Sequence, residues 1–368
     1  MKMGYLKTTK PNTLKRGKAF YASAALPAAL AARAALAVLL SAVLFTLACV
    51  GEKPLVPGGN IVSVDTPAPS AADGGGASTP EPTPEPTPAL YSLVRIENSK
   101  LSDGMQVLVN YNHSYAHTSA VEQLVRPVEK SRELLLAKAD AALLDEVLTA
   151  LQAFAEGFYE VTGGDRLLVT SAFRTEQYQR ELYDDYVKQH GEEMARIYVA
   201  DPGSSEHHTG YAVDLSTMSK DGLRIPLIEH EHFDWVNAHC ADHGFILRYP
   251  VGSEEVTRVA YEPWHFRYLG RTHAAACTAL KMVYEEYIEH LKVYTIESGM
   301  LRVELSEGGA EVSVAEINAL PSSGRLIYFV PASEGDETML PIPAGCNDYS
   351  VSGNNEDGFI VTVSLGGE

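Results

Sequence analysis

Apolar residues recur at helical spacing in the middle of this 368-residue chain. They lie three and four positions apart, and they are Leu144, Val147, Leu148, Leu151, Phe154, Ala155 and Phe158. This periodicity predicts an amphipathic helix of about five turns that packs one face on a core. Gly163 and Gly164 end the pattern, and the apolar run over residues 166–170 predicts a β-strand. A second helix is predicted over residues 176–187.

Further apolar segments follow towards the end of the chain. Residues 244–250 predict a strand, residues 271–292 predict one long helix, and residues 101–111 predict a strand and turn. Short apolar runs separated by Gly, Pro, Asn and Ser predict strands over residues 300–305, 325–330, 338–342 and 358–363. We expect residues 90–296 to form one folded domain and residues 297–368 to form a small β-rich C-terminal extension.

The first 49 residues have the pattern of an export signal, a basic stretch followed by an uncharged apolar run. Ala48 before Cys49 is typical of a bacterial lipoprotein cleavage site, so we expect a lipid on Cys49, with an uncleaved anchor helix as the alternative. Residues 50–89 are rich in Pro, Gly and Ser and predict an extended linker. Either attachment tethers the folded body to the outer side of the cytoplasmic membrane.

Charge and cysteine content restrict the possible partners. The net charge is −19, and removing the seven Lys and Arg of the first 48 residues, which contain no acid, leaves −26 on the remainder. Such an acidic body argues against nucleic-acid binding, which requires a basic face. The chain has four cysteines, Cys49, Cys240, Cys277 and Cys346. Cys49 belongs to the predicted export signal, so the remaining three make no even disulfide framework, and they lack the spacing of a Cys/His zinc site.

Two short segments concentrate residues that can bind a metal. The first contains His207 and Asp214, with a glycine between them where the chain can turn before a strand. The second, about fifty residues downstream, contains Glu262 and His265. Two imidazoles and one carboxylate can hold zinc tetrahedrally and leave the fourth position open for water. We therefore predict a Zn²⁺ site formed by His207, Asp214 and His265.

Glu262 is the candidate general base of this site. Zinc lowers the pKa of bound water to about 7, and a carboxylate that is not a ligand can take the water's proton and pass it to the leaving amine. A single His near an Asp is more often a surface or core residue than a ligand. Two separate motifs that together complete three ligands and a base are much harder to explain by chance.

These motifs resemble those of a known enzyme family. Ser-x-His-x-x-Gly-x-Ala-x-Asp over residues 205–214 and Glu-x-Trp-His over residues 262–265 are similar to the VanY-type zinc D-alanyl-D-alanine carboxypeptidases, which trim peptidoglycan stem peptides. A third element over residues 170–177 stands where the family has Ser-Gly-Tyr-Arg and a nearby Gln. The resemblance starts at about residue 107 and runs to the end of the chain. It implies an α+β, hedgehog-like fold in which helices flank an antiparallel sheet with the metal on its open face.

The resemblance also implies roles for individual residues. Arg174 would lie in the active site, where its guanidinium binds the substrate or stabilises the oxyanion. Gln177 and Ser205 match positions that the family uses for substrate contacts. The sequence departs from the family pattern at His208, where Gln is expected, and at Arg258, where Gly is usual.

We therefore predict an exported zinc D,D-carboxypeptidase that removes the C-terminal D-Ala from peptidoglycan stem peptides. The motifs define the chemistry but not the bond, so an L,D-carboxypeptidase, a dipeptidase or an endopeptidase with the same metal site are alternatives. An inactive wall-binding protein is an alternative from another class. The presence of all three ligands and the base in the sequence argues against that last alternative.

Overall fold

The computed structural model describes residues 90–306 and 312–366. The predicted export signal over residues 1–49, with its lipidation site at Cys49, and the predicted linker over residues 50–89 lie outside these residues. In the part of the chain that is described, no helix is both long enough and apolar enough to cross a bilayer.

The described residues form strands, α-helices and short 3-10 turns. The strands are β1 (Tyr91–Glu97), β2 (Arg126–Pro127), β3 (Leu134–Leu136), β4 (Ala142–Leu143), β5 (Arg166–Ser171), β6 (Ala212–Met218), β7 (Arg224–Ile225), β8 (Phe245–Leu247), β9 (His265–Tyr268), β10 (Met300–Leu305), β11 (Val312–Ile317), β12 (Gly324–Pro331), β13 (Glu337–Pro343), β14 (Tyr349–Gly353) and β15 (Gly358–Leu365). The α-helices are α1 (Thr118–Leu124), α2 (Asp145–Thr162), α3 (Glu176–His190), α4 (Glu192–Tyr198), α5 (Phe233–His239), α6 (Glu254–Thr257), α7 (Gly270–Leu280) and α8 (Tyr284–Leu291). The 3-10 turns are Asn98–Ser102, Glu206–Thr209, Leu227–Glu229 and Cys240–His243.

A six-stranded sheet with the order β3-β5-β6-β9-β8 forms the first half of the folded body, and β7 pairs with β6. Its pairs are antiparallel except that of β3 with β5. The apolar stripe of α2, including Val147, Leu151 and Phe154, packs against this sheet in one core. Helix α2 and strand β5 confirm the predictions made from hydrophobic spacing. The predicted α+β class, with helices on a largely antiparallel sheet, is also confirmed.

A five-stranded antiparallel sheet with the order β11-β10-β12-β15-β14 forms the second half. Its buried residues share a core with α7, α8 and Ile246 of β8, so the two sheets are joined by apolar packing. Strand β1, near the start of the described residues, pairs with β13. A strand of the predicted folded domain therefore pairs with a strand of the predicted extension, and the described residues of both belong to one compact unit. The boundary at residue 297 stays a prediction.

Three details of the sequence prediction are wrong. The helix expected over residues 271–292 is two helices, because Lys281 turns left-handed (φ 56°) and its N–H closes α7 on the carbonyls of Cys277 and Thr278. The strand expected over residues 101–111 is replaced by a 3-10 turn and extended backbone, with an isolated bridge at Asn110. Strands β11 and β14 were not expected from the sequence.

Candidate active site

The three predicted metal ligands meet beside the two central strands of the six-stranded sheet. His207 lies in the turn Glu206–Thr209, which ends at Gly210 with φ 72°, a left-handed conformation that favours glycine. The chain then enters β6, where Asp214 lies directly opposite His265 of β9. One side-chain atom from each of these three residues lies within 4.8 Å of the other two. The turn and the antiparallel register therefore aim the three side chains at one point.

Hydrogen bonds decide which ring nitrogen of each histidine faces that point. His207 Nδ1 donates to the carbonyl oxygen of Ala172 at 2.7 Å, which leaves Nε2 unprotonated and 3.3 Å from an oxygen of Asp214. His265 Nε2 donates to Glu206 Oε2 at 3.3 Å, which leaves Nδ1 at 3.2 Å from the same Asp214 oxygen. Each imidazole is thus oriented by its outer nitrogen, the arrangement usual for histidines that bind a metal.

The shared Asp214 oxygen supplies a test of whether a cation fits here. This atom, Oδ1, is buried and has no hydrogen-bond partner among the described residues. A buried carboxylate oxygen without a partner is costly. A cation held by Asp214 Oδ1, His207 Nε2 and His265 Nδ1 would satisfy it, and this donor set suits Zn²⁺. The residues present therefore fit the predicted metal.

Arg174 contacts the ligands directly. Its Nη2 donates to Asp214 Oδ2 at 2.8 Å and to His207 Nε2 at 3.1 Å. The other guanidinium nitrogens donate to Ser171 Oγ at 2.9 Å and to Gln179 Oε1 at 3.1 Å. The guanidinium of Arg174 is thus held by four hydrogen bonds. One of them uses the lone pair of His207 Nε2 that a metal would also take.

Glu262 lies next to the ligands on the other side. Its Oε2 is 3.6 Å from His265 Nδ1, and its side chain is only 17 % exposed. Burial raises the pKa of Glu262 to about 7, since the charge of Asp214 adds to an effect that His265 and Arg174 only partly oppose. A carboxyl group with such a pKa can accept a proton and give it back near neutral pH.

A cleft of about 310 Å³ opens onto these groups. Its floor contains the three candidate ligands, Arg174 and Glu262, and its mouth is bordered by exposed residues that include Tyr111 and Arg258. Trp264, which 44 % exposure places at the surface, lines the same cleft. The candidate metal-binding atoms are therefore reached from solvent through this cleft, which both polar and apolar side chains line.

Comparison with known proteins agrees with the geometry of this site. A family model described as VanY, D-alanyl-D-alanine carboxypeptidase, matches residues 141–271. The bifunctional D-Ala-D-Ala dipeptidase and D-Ala-D-Ala carboxypeptidase VanXYC of Enterococcus gallinarum is 37 % identical over 145 residues, which cover 37 % of this chain and 74 % of that protein. The chain belongs to the VanY family.

Two further similarities extend beyond the matched region. A D-alanyl-D-alanine carboxypeptidase of Enterococcus faecium is 28 % identical over 277 residues, which cover 74 % of this VanY-family chain and 78 % of the relative. The vancomycin-resistance D,D-dipeptidase VanXYg, solved with a D-Ala-D-Ala phosphinate analogue, superposes with a TM-score of 0.62 at 29 % identity. That structure is covered completely and aligns with 75 % of this chain.

A buried charge cluster lies behind His265 in this member of the VanY family. The carboxylate of Glu206 is fully buried and accepts hydrogen bonds from Arg248 Nε at 2.7 Å and Arg267 Nη1 at 3.2 Å, besides that from His265. Arg248 also donates twice to Glu285, at 2.6 and 2.8 Å. The cluster was missed in the sequence. The only sign of it in the sequence is an acid, Glu206, directly before the candidate ligand His207. Its partners Arg248 and Arg267 are too distant along the chain to be predicted from spacing.

The surrounding charges set the protonation of the ligands in opposite directions. Burial would raise the pKa of Asp214, but His207, His265 and Arg174 hold it well below its usual value. Burial lowers the pKa of His207 to about 4, and the charge of Arg174 acts in the same direction. Burial would also lower the pKa of His265, but the neighbouring carboxylates of Asp214 and Glu206 raise it to about 9. A metal at His265 Nδ1 would therefore compete with a proton for that nitrogen.

The two predicted substrate-contacting residues differ in position. Ser205 is buried and lines the cleft next to the turn that carries His207. Gln177 is exposed on α3, where its amide donates to Glu181 at 3.0 Å outside the cleft. The structure does not bring Gln177 into the cleft, because two residues along a helix rotate a side chain by about 200°. Gln179 is the buried glutamine that reaches Arg174.

His208 joins two loops beside the cleft. Its Nδ1 donates to the carbonyl oxygen of Arg174 at 2.8 Å, and its Nε2 accepts from the N–H of Gly203 at 3.1 Å. Both ring nitrogens are thus used to join two loops that line the cleft. His208 contributes no atom to the metal-binding point.

Proposed function

We propose that this chain is a zinc-dependent D,D-carboxypeptidase that hydrolyses the C-terminal D-Ala from peptidoglycan stem peptides. Membership of the VanY family supports the reaction class. One observation carries the assignment to this cleft. His207 and His265 converge on the buried Oδ1 of Asp214, which has no hydrogen-bond partner among the described residues, and Glu262 lies beside them.

The metal would be held by His207 Nε2, Asp214 Oδ1 and His265 Nδ1. When bound, Zn²⁺ supplies a Lewis acid that polarises a carbonyl group and makes water available as a nucleophile near neutral pH. Glu206 and the carbonyl of Ala172 keep the two imidazoles in the tautomers that such binding requires.

Glu262 would act as the general base and then as the general acid. Its carboxylate takes a proton from the attacking water and delivers it to the nitrogen of the departing D-Ala. A pKa of about 7 suits both transfers, because neither the proton uptake nor its release is strongly uphill near neutral pH.

Arg174 would stabilise the negative charge that develops on the scissile carbonyl oxygen. Ser171 and Gln179 hold its guanidinium beside the ligands before substrate arrives, so little reorganisation accompanies the reaction. Ser205 is proposed as a substrate contact because it lines the same cleft.

The cellular location follows from the substrate. A peptidase of the wall acts outside the cytoplasmic membrane, and we propose that Cys49 carries a lipid, or that the apolar run before it anchors the chain. The linker over residues 50–89 would then hold the folded body away from the membrane. Replacement of Cys49 by Ser is expected to release a lipid-anchored protein from membranes.

A D,D-dipeptidase activity is the second candidate. It is favoured by the similarity to VanXYC, whose name includes dipeptidase activity, and by the superposition on the D,D-dipeptidase VanXYg. The same ligands, base and arginine would serve that reaction, and only the length of the accepted peptide differs.

One experiment tests these assignments. The full-length chain is incubated with a pentapeptide ending in D-Ala-D-Ala, with the corresponding tetrapeptide and with free D-Ala-D-Ala, each with and without a chelator. Chelator-sensitive release of D-Ala from the pentapeptide is the expected result. Release from the tetrapeptide alone would assign L,D specificity, and cleavage of the free dipeptide alone would assign a dipeptidase. Absence of cleavage in zinc-loaded protein would contradict the proposed function.

A further inference from the structure

Three arginines line the cleft, and they differ in what holds their charge. Arg174 pairs with Asp214 at 2.8 Å, and Arg196 pairs with Glu192 at 2.6 Å. Arg258 makes no ion pair with any described residue and is exposed at the cleft mouth. Its charge is available to a ligand.

The backbone of Arg258 is strained. It has φ 58° and closes the short helix α6, its N–H donating to the carbonyl of Glu254 at 3.0 Å. Left-handed backbone crowds the Cβ atom of any residue other than glycine, and glycine is the usual residue at such a helix end. A position that served only to end the helix would be more stable with glycine. The presence of arginine instead of glycine therefore indicates a role for the side chain of Arg258.

The guanidinium of Arg258 rests on a fixed aromatic surface. Its central carbon lies 4.8 Å from the centre of the Tyr111 ring, a cation–π distance. The loop that carries Tyr111 is clamped at both ends by Asn355, whose Nδ2 donates to the carbonyls of Leu108 at 2.8 Å and Ser114 at 3.0 Å. The C-terminal segment thus holds the surface on which the arginine lies.

Asn110 fixes the turn itself. Its Oδ1 accepts from the N–H groups of Asn112 and His113, at 2.9 and 3.1 Å, and its Nδ2 donates to Glu285 at 3.2 Å. Tyr111, which follows it, therefore has a defined place at the cleft mouth. A cation placed on such a support loses less conformational freedom when it binds an anion.

We propose that Arg258, supported by Tyr111, binds a carboxylate of the substrate on the residues that precede D-Ala-D-Ala. This inference rests on the proposed function and specifies its substrate as an acidic peptide. The scissile bond of such a substrate would lie beside Arg174 and the candidate metal ligands on the buried floor of the cleft. Arg258 lies at the exposed mouth, so it faces groups further from that bond.

The test uses pairs of peptides that end in D-Ala-D-Ala and carry either a glutamate or a glutamine at one of the three preceding positions. With zinc-loaded full-length chain, the acidic peptide of at least one pair is expected to have a kcat/KM about five- to tenfold higher, as for a charge-assisted hydrogen bond. Arg258→Gln is expected to bring that ratio close to one, mainly through KM. Arg196→Gln, in the same cleft but already paired, is the matched control and should keep the ratio.

Arg258→Gly separates binding from folding. Glycine accepts φ 58° without strain, so this variant should melt at the native temperature or above and still lose the preference for the acidic peptide. Equal ratios for all pairs with the native chain, or a preference that survives in both Arg258 variants, would overturn the proposal. An equal loss of this preference in Arg196→Gln would also overturn the proposal, since the preference would then come from the general positive potential of the cleft and not from contact with Arg258.

Calorimetric titration of the same peptides separates this inference from the proposed function. If no peptide is cleaved but the acidic one binds about five- to tenfold more tightly in an Arg258-dependent manner, the proposed reaction fails and the carboxylate site stands. If cleavage occurs without any such preference, the reaction stands and the carboxylate site fails.

Discussion

The two histidines of the candidate metal site lie in opposite electrostatic surroundings. His207 contacts a neutral carbonyl and the cation Arg174, and burial lowers its pKa to about 4. His265 contacts the carboxylates of Glu206 and Glu262, and its pKa is about 9 because the neighbouring acids outweigh the effect of burial. We infer different roles for the two sides. The cationic side, around His207 and Arg174, stabilises developing negative charge, and the anionic side, around His265 and Glu262, transfers protons.

The largest expected effect concerns the proton-handling side. Glu262→Gln should lower kcat about 10²- to 10⁴-fold, because the amide cannot take the proton of water. Bound zinc, measured by elemental analysis, should stay at the native content, since Glu262 is not a ligand in this account. His265→Ala serves as the contrasting variant and should lose zinc. A Glu262→Gln chain that keeps its activity would remove this residue from the mechanism.

Removal of the carboxylate behind His265 should strongly affect stability. Glu206→Ala leaves Arg248 and Arg267 buried without their shared partner, so the free energy of unfolding should fall by about 3–5 kcal/mol in urea denaturation. The exposed pair of Glu176 and Arg180, 2.8 Å apart, is the control. Glu176→Ala should cost less than about 1 kcal/mol. Similar losses in the two variants would contradict the importance of the buried cluster.

The cationic side should respond in kcat. Arg174→Met is expected to lower kcat about 10²- to 10³-fold, as for the loss of one oxyanion donor. Zinc affinity should be unchanged or higher, because the variant removes a competitor for the lone pair of His207. Competition with a chromogenic chelator measures that affinity. Weaker zinc binding in Arg174→Met would mean that this arginine supports the ligands and that the proposed division is mistaken.

A smaller effect should distinguish the two histidine supports. Glu206→Gln keeps the shape of the side chain but removes the charge that makes His265 a stronger ligand, so zinc affinity should fall about 10- to 100-fold. The corresponding support of His207 is a backbone carbonyl, which no side-chain substitution at Ala172 removes. Ala172→Gly should therefore leave zinc affinity near the native value, and comparable losses in both variants would contradict the difference between the two sides.

The sequence predicted that the candidate ligands and the candidate base lie together in pairs because each motif is local. His207 and Asp214 belong to one turn and strand, and Glu262 and His265 to one turn, so spacing alone brings each pair together. That the two pairs meet follows from the antiparallel register of β6 and β9, which only the fold supplies.

Other features depended on choices that the sequence leaves open. Gln177 and Gln179 are equally plausible from composition, and the rotation of α3 decides that Gln179 reaches Arg174. Glu206 could not be assigned because its two arginine partners follow it by some forty and sixty residues. Strand β1 pairs with β13 across most of the described chain, a contact without any local pattern.

The most direct test of the account is a zinc titration of the metal-free, full-length chain, followed by release of D-Ala from a pentapeptide ending in D-Ala-D-Ala. We predict no release without metal, and activity that rises with added zinc and saturates at one zinc per chain. Release by the metal-free chain, or none at saturation with zinc, would contradict the assignment of His207, Asp214 and His265 to a catalytic metal site.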